Sequence, residues 1–253
     1  GHVGWGESMY LKEVLPGARF LVYAEFFWRS RGLYYDFDPA VYPRSFEQIL
    51  SAATTTTAML ATLAAADSVL SPTHWQAQSF PAAFQSRISV IHDGIDTAAA
   101  CPSQSATVSV NERGLTLRPG DEVVTLVNRT LEPHRGFHIF MRALPQVLGA
   151  RPNAHVIIVG GSEGGYGPGP GNGKTWRQVL LEEVGSRLDQ SRVHFVGKVP
   201  HSVFIDLMRV SRVHAYLTYP GVLSWSMLEA MSTGALVIGS RTLGIAAPGS
   251  HPW

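Results

Sequence analysis

Short apolar runs rich in β-branched residues alternate along the chain with longer stretches whose apolar positions recur at helical spacing. The pattern is clearest in the second half, where the run 122–127 precedes a polar loop and a helical stretch at 137–148. Continuous apolar runs of this length are typical of strands buried on both faces. Strands that alternate with helices predict a parallel sheet covered on both sides, and therefore an α/β fold. Further strands are predicted at 155–159, 193–196, 213–217 and 235–238, and further helices at 176–188, at 202–210 and from Ser224.

The first half shows the same alternation with less regular spacing. Its predicted elements are strands at 20–24, 68–71 and 88–91 and a long helix at 45–66. Residues 97–119 are small and polar without a clear period, which indicates a linker. We therefore predict one domain at 1–95 and a second domain at 96–253.

Composition narrows the class of protein. The 253 residues are enough for one large domain or two modest ones, and 20 basic against 19 acidic residues leave a net charge of +1. Proteins that bind nucleic acid usually carry a basic excess, so no nucleic-acid partner is expected. Cys101 is the single cysteine, which rules out an intrachain disulfide.

The sequence predicts neither a secretory leader nor a membrane span. Residues 1–7 lack a basic region and an apolar core, and the stretch 51–70 is rich in Ala and Thr rather than in strongly apolar residues. We therefore expect a cytoplasmic protein. The chain begins at Gly1 rather than Met and stops at Trp253 soon after a strand, so we expect both ends to be cut from something longer.

The segment 219–238 gives the strongest indication of function. It predicts a loop, a short helix with Ser224 as its N-cap, a left-handed turn at Gly234 and a buried strand. Glu229 is its one carboxylate, and helical side chains lean toward the N-terminus, where free amide groups collect. A helix start that binds anions, beside an acid that accepts sugar hydroxyls, suits a nucleotide diphosphate.

Two arginines strengthen this interpretation. Arg129 and Arg135 flank a loop at the carboxyl end of a predicted strand. Two guanidinium groups in that position can clamp a pyrophosphate through paired hydrogen bonds. Two solvated loop arginines are the alternative, and these residues alone leave both interpretations open.

A hydrolase site is a competing interpretation. Gly160-Gly-Ser162-Glu-Gly164 matches a nucleophile elbow that follows a strand, and Asp206 and His214 come later in the usual order. An elbow requires a helix directly after the serine. The glycine-rich residues 165–173 cannot form one, so this interpretation is disfavoured.

Two further patterns are incomplete. Gly173-Lys174-Thr175 resembles the end of a phosphate-binding P-loop, but Pro168 stands where the first glycine is required. A flexible surface loop is therefore favoured over an NTPase. His134 and His138 are spaced to share a helix face, but no third ligand completes a zinc motif, so no metal site is predicted.

Several segments together resemble a known family. Residues 129–136, His194-Phe-Val-Gly-Lys198 and 220–234 are similar to the donor-domain motifs of retaining GT-B glycosyltransferases, and more narrowly to a bacterial branch of glycosyltransferase family four. The segments that resemble the acceptor-side motifs of that branch are Gly4-Trp-Gly-Glu7, Phe37-Asp-Pro39, Pro72-Thr-His-Trp-Gln76 and His92-Asp-Gly-Ile-Asp96. The resemblance implies an α/β fold of GT-B type, with two Rossmann-like doubly wound domains of which the N-terminal one is incomplete.

The resemblance also implies roles for single residues. Glu229 takes the second glutamate of the family's Glu-x7-Glu motif and would bind the donor ribose, while Arg129 and Arg135 take the basic pair that neutralises the diphosphate. His2 takes the position of an acceptor-domain histidine near the transferred sugar. Gly221 occupies the first glutamate position, so a contact with the sugar hydroxyls is lost there. The other implied donor contacts are the amides of Leu223, Ser224 and Trp225 at the distal phosphate and the loop of Gly197, Lys198 and Val199 at the nucleobase.

The implied reaction is same-face transfer of a sugar from a nucleotide diphosphate sugar to an acceptor hydroxyl, through an oxocarbenium-like state and without a metal or cofactor. A glycan, a lipid-linked glycan or a small molecule can serve as the acceptor, and peripheral contact with the cytoplasmic face of a membrane stays open. Gly221 and the expected truncation leave one alternative to this activity, a catalytically weak fragment that binds nucleotide sugars. The Gly173-Lys174-Thr175 pattern leaves a second and less favoured one, a P-loop NTPase.

Overall fold

The computed structural model describes residues 1–4, 6, 8–110, 114–171 and 173–241. Contacts divide these residues into two compact units. The first unit comprises Gly1–Gly94, Pro220–Leu223 and Arg241, and the second comprises Ile95–Tyr219 and Ser224–Ser240.

The first unit is built on a three-stranded parallel sheet in the order β1-β2-β3. His2 adds a single parallel bridge to Tyr23 on β1. The core contains Phe20, Val22, Met59, Leu63 and Phe80, which join the sheet to the long helix α2. Its strands are β1 (Leu21–Tyr23), β2 (Ser68–Ser71) and β3 (Ile88–Val90), and its helices are α1 (Leu11–Val14), α2 (Phe46–Ala65), α3 (His74–Ser79) and α4 (Ala82–Gln85).

A capping box fixes the start of helix α2. The hydroxyl of Ser45 accepts a hydrogen bond from the N–H of Gln48, and the side chain of Gln48 accepts one from the N–H of Ser45. This reciprocal pair satisfies amide groups that the first helical turn leaves without partners. The helix therefore begins within one residue of its predicted start.

The second unit begins with a hairpin that was not predicted from the sequence. Strands β4 (Val108–Val110) and β5 (Leu115–Leu117) pair antiparallel within the segment interpreted as a linker, so that prediction is wrong. Val108, Val110 and Leu117 are buried in the core of the unit. Each strand has only three residues, so apolar and polar positions alternate too briefly to give a recognisable period.

A five-stranded parallel sheet forms the centre of the second unit. Its strands follow the order β10-β9-β6-β7-β8, so the chain moves outward from β6 to β8 and then crosses back to place β9 beside β6. The reversal between β6 and β9 is the topological switch point at which doubly wound sheets bind ligands. The strands are β6 (Val123–Thr130), β7 (His155–Gly161), β8 (Val193–Gly197), β9 (Val213–Tyr216) and β10 (Leu236–Gly239), and the helices are α5 (Phe137–Ala150), α6 (Trp176–Val184), α7 (His201–Val210) and α8 (Trp225–Ser232).

Helices cover both faces of this sheet, as predicted. Helices α5 and α6 pack on one face through Met141, Leu144 and Val184, together with Ile158 of β7. Helices α7 and α8 and the β4–β5 hairpin pack on the other face, where the buried side chains include those of Leu207, Met208, Ala230 and Val110. The apolar side of each helix therefore packs on the sheet, and the strands are buried on both faces by these helices.

Two details of the segment 219–238 differ from prediction. Ser224 occupies the N-cap of α8, but its hydroxyl makes no capping bond and instead pairs with the Ser226 hydroxyl at 2.7 Å. Strand β10 was predicted to be buried, yet Leu236 is 64% and Ile238 54% exposed. The strand comes last in the sheet order, so its neighbours bury it less than the central strands. Gly234 has φ +91°, and the predicted left-handed turn is confirmed.

Candidate functional site

A pocket of about 580 Å³ opens in the second unit at the carboxyl ends of the strands. Asn128 and Arg129 reach it from the end of β6, and Tyr216 reaches it from the end of β9. Glu229 approaches from α8. The pocket therefore lies at the switch point of the sheet, where two neighbouring strands send their connections in opposite directions.

Three basic side chains line this pocket: Arg129, Arg135 and Lys198. Within the described residues, none of the three forms an ion pair with a carboxylate. The Arg135 guanidinium lies over the ring of Tyr166, with 5.4 Å between Cζ and the ring centroid. An aromatic face holds a guanidinium without neutralising its charge, so the pocket keeps a positive potential suited to an anion.

Glycines bring two of these basic residues into place. Gly136 follows the short 3₁₀ turn Pro133–Arg135 with φ +69°, and a Cβ there would collide with the backbone of Leu217. Gly197 ends β8 with φ +68° and turns the chain toward Lys198. A Cβ on Gly161 would lie 3.0 Å from Cε of Lys198, so the small residue leaves room for the lysine to enter the pocket.

The start of α8 forms another wall of the pocket. The N–H of Ser224 donates to the hydroxyl of Tyr216 at 3.1 Å, which connects the helix start to the end of β9. Burial raises the pKa of Tyr216, and the smaller opposing effects of Arg135 and Ser224 do not cancel it. The phenol therefore remains protonated over the physiological range.

Glu229 faces the pocket from α8 with its side chain 14% exposed. Its Oε1 lies 2.7 Å from Nε2 of His201, the first residue of α7, whose side chain is 66% exposed. Glu229 was predicted from the sequence, but His201 was not. The sequence feature that could have identified His201 is its position at the start of a predicted helix, just after the predicted nucleobase loop.

A second carboxylate stabilises the loops around the pocket and was not predicted from the sequence. Glu132 follows β6, is only 2% exposed, and accepts hydrogen bonds from the N–H groups of Tyr166 at 3.2 Å and Gly167 at 3.1 Å. Its Oε2 lies 3.6 Å from Nδ1 of His134. Burial acts to raise the pKa of Glu132, but the nearby His134 imidazole and the hydrogen bonds from the N–H groups of Gly167 and Tyr166 outweigh it and hold the pKa below its ordinary value. This ionised side chain joins the loop after β6 to the glycine-rich loop after β7.

The structure brings together most of the residues predicted for the donor site. The predicted residues that line the pocket are Arg129, Arg135, Lys198, Val199, Ser224, Trp225 and Glu229. Gly197 lies at the turn directly before Lys198 without lining the pocket. Gly221 and Leu223 belong to the segment grouped with the first unit, and neither lines the pocket.

His2, the residue predicted for the acceptor side, lies in the first unit beside β1. Its Nδ1 accepts a hydrogen bond from the N–H of Gly4 at 3.0 Å, and its Nε2 lies 3.4 Å from Oε2 of Glu25. Because Nδ1 is an acceptor in this arrangement, Nε2 carries the ring proton and points it at the carboxylate.

The competing hydrolase interpretation fails on geometry. The residues from Ser162 to Gly171 form bends and irregular backbone, not the helix that an elbow requires. His214 is fully buried, with Nδ1 2.9 Å from the hydroxyl of Thr125. Burial lowers the pKa of His214 to about 4, so the ring is neutral and is held by a threonine rather than facing Ser162.

The P-loop and zinc interpretations also lack their geometry. Nζ of Lys174 pairs with Oε2 of Glu182 at 2.7 Å, and Lys174 does not line the pocket. In the part of the chain that the structure describes, His, Cys, Asp and Glu side chains form no group of three that could hold a metal ion. No described helix has the length and apolar character needed to cross a bilayer.

A doubly wound sheet with a basic pocket at its switch point defines the class of Rossmann-like ligand-binding proteins. Comparison with known families is more specific. Residues 111–247 match the family model described as glycosyl transferases group 1, and residues 1–100 match a glycosyl transferase family 4 group. The chain belongs to the group 1 glycosyl transferases and has the α/β fold of the GT-B type.

Individual relatives are distant. The chain is 24% identical over 158 residues to one subunit of the phosphatidylinositol N-acetylglucosaminyltransferase of Arabidopsis thaliana, covering 62% of this chain and 32% of that protein. It is 28% identical over 161 residues to a D-inositol 3-phosphate glycosyltransferase of Corynebacterium jeikeium, covering 62% of this chain and 36% of that protein. The chain thus spans about a third of the length of these relatives.

Among solved structures, sucrose-phosphate synthase from Thermosynechococcus elongatus matches with a TM-score of 0.65 and 19% identity. The match covers 93% of this chain and 54% of the synthase. At this identity the similarity shows a common fold.

Proposed function

We propose that this chain binds a nucleotide diphosphate sugar and transfers its sugar to an acceptor hydroxyl with retention of configuration, without a metal or cofactor. The observation that supports this most is a single pocket lined by three basic side chains and, on α8, by the carboxylate of Glu229. A diphosphate needs the positive charges, and a ribose diol needs an acceptor such as the carboxylate. Family membership supports sugar transfer.

The proposed roles combine the family resemblance with the position of most of these residues in the pocket. Arg129 and Arg135 bind the diphosphate and stabilise the charge that develops when it leaves. Glu229 accepts hydrogen bonds from the ribose hydroxyls, and the loop of Gly197, Lys198 and Val199 lies along the nucleobase. Leu223 and Trp225, on either side of Ser224 at the start of α8, contribute backbone amides and the positive end of a helix dipole, while the N–H of Ser224 is held by Tyr216.

The proposed transfer breaks the bond between the anomeric carbon and the diphosphate oxygen and forms a bond from that carbon to the acceptor oxygen on the same face. The sugar passes through an oxocarbenium-like state. The proton of the acceptor hydroxyl moves to the leaving diphosphate oxygen. No protein nucleophile is needed, and the arginines supply the charge stabilisation that a metal supplies in other transferases. His2 is proposed to lie near the transferred sugar.

The acceptor is proposed to be a glycan, a lipid-linked glycan or a small molecule. The two curated relatives are named for transfer to phosphatidylinositol and to D-inositol 3-phosphate, which supports a hydroxyl on a polyol as the acceptor class. Nucleic acid is not proposed as a partner, because the net charge is only +1. A cytoplasmic location, with peripheral contact to a membrane face, remains part of the proposal.

One observation favours a second candidate function, a nucleotide-sugar-binding chain with weak turnover. Gly221 stands where the family's first glutamate contacts the sugar hydroxyls, and a glycine has no side chain with which to replace that contact. Turnover separates the two candidates, since both bind the nucleotide. A chain that binds a nucleoside diphosphate and transfers no sugar supports the second.

The test is a thermal-shift and calorimetry panel with UDP, GDP, ADP and dTDP, since a ligand that binds only the folded state raises the melting temperature. We expect at least one to bind. Arg135→Ala should weaken it about 10- to 100-fold through loss of a charge-assisted contact, and Glu229→Gln should weaken it about 10-fold. Nuclear magnetic resonance of a transfer product then reports whether the anomeric configuration is retained.

Lys174→Ala is the matched control, because Lys174 is a basic residue paired with Glu182 outside the pocket. It should bind the nucleotide as the wild type does. Loss of binding in Lys174→Ala with none in Arg135→Ala would contradict the proposal and favour an NTPase. A panel in which none of the four nucleotides binds would contradict the donor site itself.

A further inference from the structure

One side chain that lines the pocket has no part in the proposed function so far. His201 begins α7, directly after the loop proposed for the nucleobase, and its Nε2 lies 2.7 Å from Oε1 of Glu229. The two residues come from different helices, so this contact exists only when α7 and α8 are packed together.

The chemistry of the pair fixes which group donates. An ionised carboxylate has only acceptor sites, so a hydrogen bond between the two requires the ring proton on Nε2. In the described residues, Glu229 makes this bond through Oε1, and no protein group donates to its Oε2. One oxygen of the carboxylate is therefore held by the protein, and the other is left for a ligand.

The two side chains differ in their exposure to solvent. Glu229 is 14% exposed and His201 is 66% exposed, so the hydrogen bond joins a partly buried carboxylate to an imidazole at the surface. The His201 ring also packs against Phe204 one helical turn later, with 5.8 Å between ring centroids. A ring held on one side by Phe204 and on the other by a hydrogen bond restricts the rotation of the carboxylate plane.

We propose that His201 is a positioning residue that orients Glu229 so that its second oxygen accepts hydrogen bonds from the ribose hydroxyls of the bound nucleotide. The inference rests on the proposed donor site. His201 is not required to touch the nucleotide. Without the imidazole, the Glu229 side chain becomes ordered only when the ligand binds. The loss of its conformational entropy then makes the binding free energy less favourable.

If His201 has this role, its loss should weaken binding of a nucleotide that carries ribose hydroxyls more than binding of one that lacks them. In His201→Ala, whichever of UDP, GDP and ADP binds the wild type should bind about 5- to 20-fold more weakly, the loss expected for one misplaced hydrogen-bonded contact. Its 2′,3′-dideoxy counterpart should lose less than about twofold, because it presents no hydroxyl to Glu229. His201→Gln, whose amide can still donate to the carboxylate, should recover most of the affinity.

The experiment is calorimetric titration of both nucleotides into the wild type, His201→Ala, His201→Gln and a control variant. Arg142→Ala is a suitable control, because Arg142 is also an exposed cation that pairs with a carboxylate, Glu183, and it lies outside the pocket. Melting temperatures of the unliganded variants establish that the fold is kept. The control should bind both nucleotides as the wild type does.

Three results would overturn the inference alone: equal losses for both nucleotides in His201→Ala, no loss for either, or tighter binding of the ribonucleotide. The last would mean that the imidazole competes with the ribose for Glu229. Failure of the wild type to bind any of UDP, GDP, ADP and dTDP would overturn the proposed donor site, and the inference with it. Binding by the wild type thus distinguishes the two failures.

Discussion

Two carboxylates near the pocket of the second unit have opposite surroundings. Glu132 is almost completely buried, and its oxygens are engaged by two backbone N–H groups and a nearby imidazole. Glu229 is partly exposed, and only its Oε1 is bonded by the protein among the described residues. A buried carboxylate whose oxygens are held by protein groups, such as Glu132, indicates a structural role. A carboxylate in a pocket that has one oxygen without a described protein donor, such as Glu229, indicates a role in binding.

The difference shows how one domain uses the same chemical group in two ways. Glu132 joins two loops, and one of them places the Tyr166 ring beneath the Arg135 guanidinium. Glu229 contributes its charge to the pocket directly. The first residue therefore acts on ligands only by holding the site together, and the second acts by contact.

The largest expected effect is on stability, from Glu132→Ala. The substitution takes the acceptor from the partly buried N–H groups of Tyr166 and Gly167 and the carboxylate from the buried imidazole of His134, so we expect a loss of about 2 kcal/mol in the free energy of unfolding. Glu229→Ala should change this free energy by less than about 1 kcal/mol, since its partner His201 is mostly exposed. Urea denaturation of both variants measures the contrast.

Equal destabilisation by the two substitutions would remove the distinction between the carboxylates. Glu132→Gln serves as a control for side-chain volume. It keeps one acceptor oxygen for the backbone and should lie between the wild type and Glu132→Ala in stability.

A smaller effect is expected in the pH dependence of stability. The pKa of Glu132 lies below its ordinary value, so the stability it contributes is present above the ordinary carboxyl range and is lost as pH falls through the folded-state pKa. The stability difference between the wild type and Glu132→Gln should therefore be largest near pH 7 and should shrink below about pH 4.5. Chemical denaturation from pH 7 to pH 3 measures it, and a difference that grows on acidification would contradict the ionised state assigned to Glu132.

The smallest expected effect concerns the ring that Glu132 holds in place. Tyr166→Ala removes the aromatic face beneath Arg135, and we expect nucleotide binding to weaken about two- to fivefold, the contribution of one partly exposed cation–π contact. Tyr166→Phe keeps the ring and should bind as the wild type does. Calorimetry of the two variants gives the answer, and a loss in both would assign the effect to the hydroxyl instead.

The larger elements were predictable because their signals are local and long. The capping box at Ser45 and Gln48 and the apolar runs of β6 and β7 appear in the sequence itself. The β4–β5 hairpin was not predictable, because three-residue strands show too little alternation. The exposure of β10 was missed since burial depends on neighbouring strands, which the apolar run at Leu236–Gly239 cannot indicate.

The site was predictable to the extent that its residues lie near helix starts and strand ends. Arg129, Arg135 and Glu229 were identified from such positions, and the structure places all three around one pocket. Glu132 and His201 were missed, because their importance depends on partners far along the chain. Glu132 contacts the loop at Tyr166, and His201 contacts α8, and no spacing rule connects these segments.

Because β6 lies between β7 and β9, the two sides of β6 can pair only at different times during synthesis of the chain. A growing chain can pair β6 with β7 and then β8 as each leaves the ribosome, because these strands follow one another directly. The other side of β6 stays unpaired until Val213–Tyr216 is synthesised, and α8 comes later still. A polypeptide interrupted before Val213 therefore contains more than half of the sheet and both pocket arginines, yet it lacks Glu229 and the wall opposite them. Nucleotide binding thus reports that synthesis of this unit has passed α8.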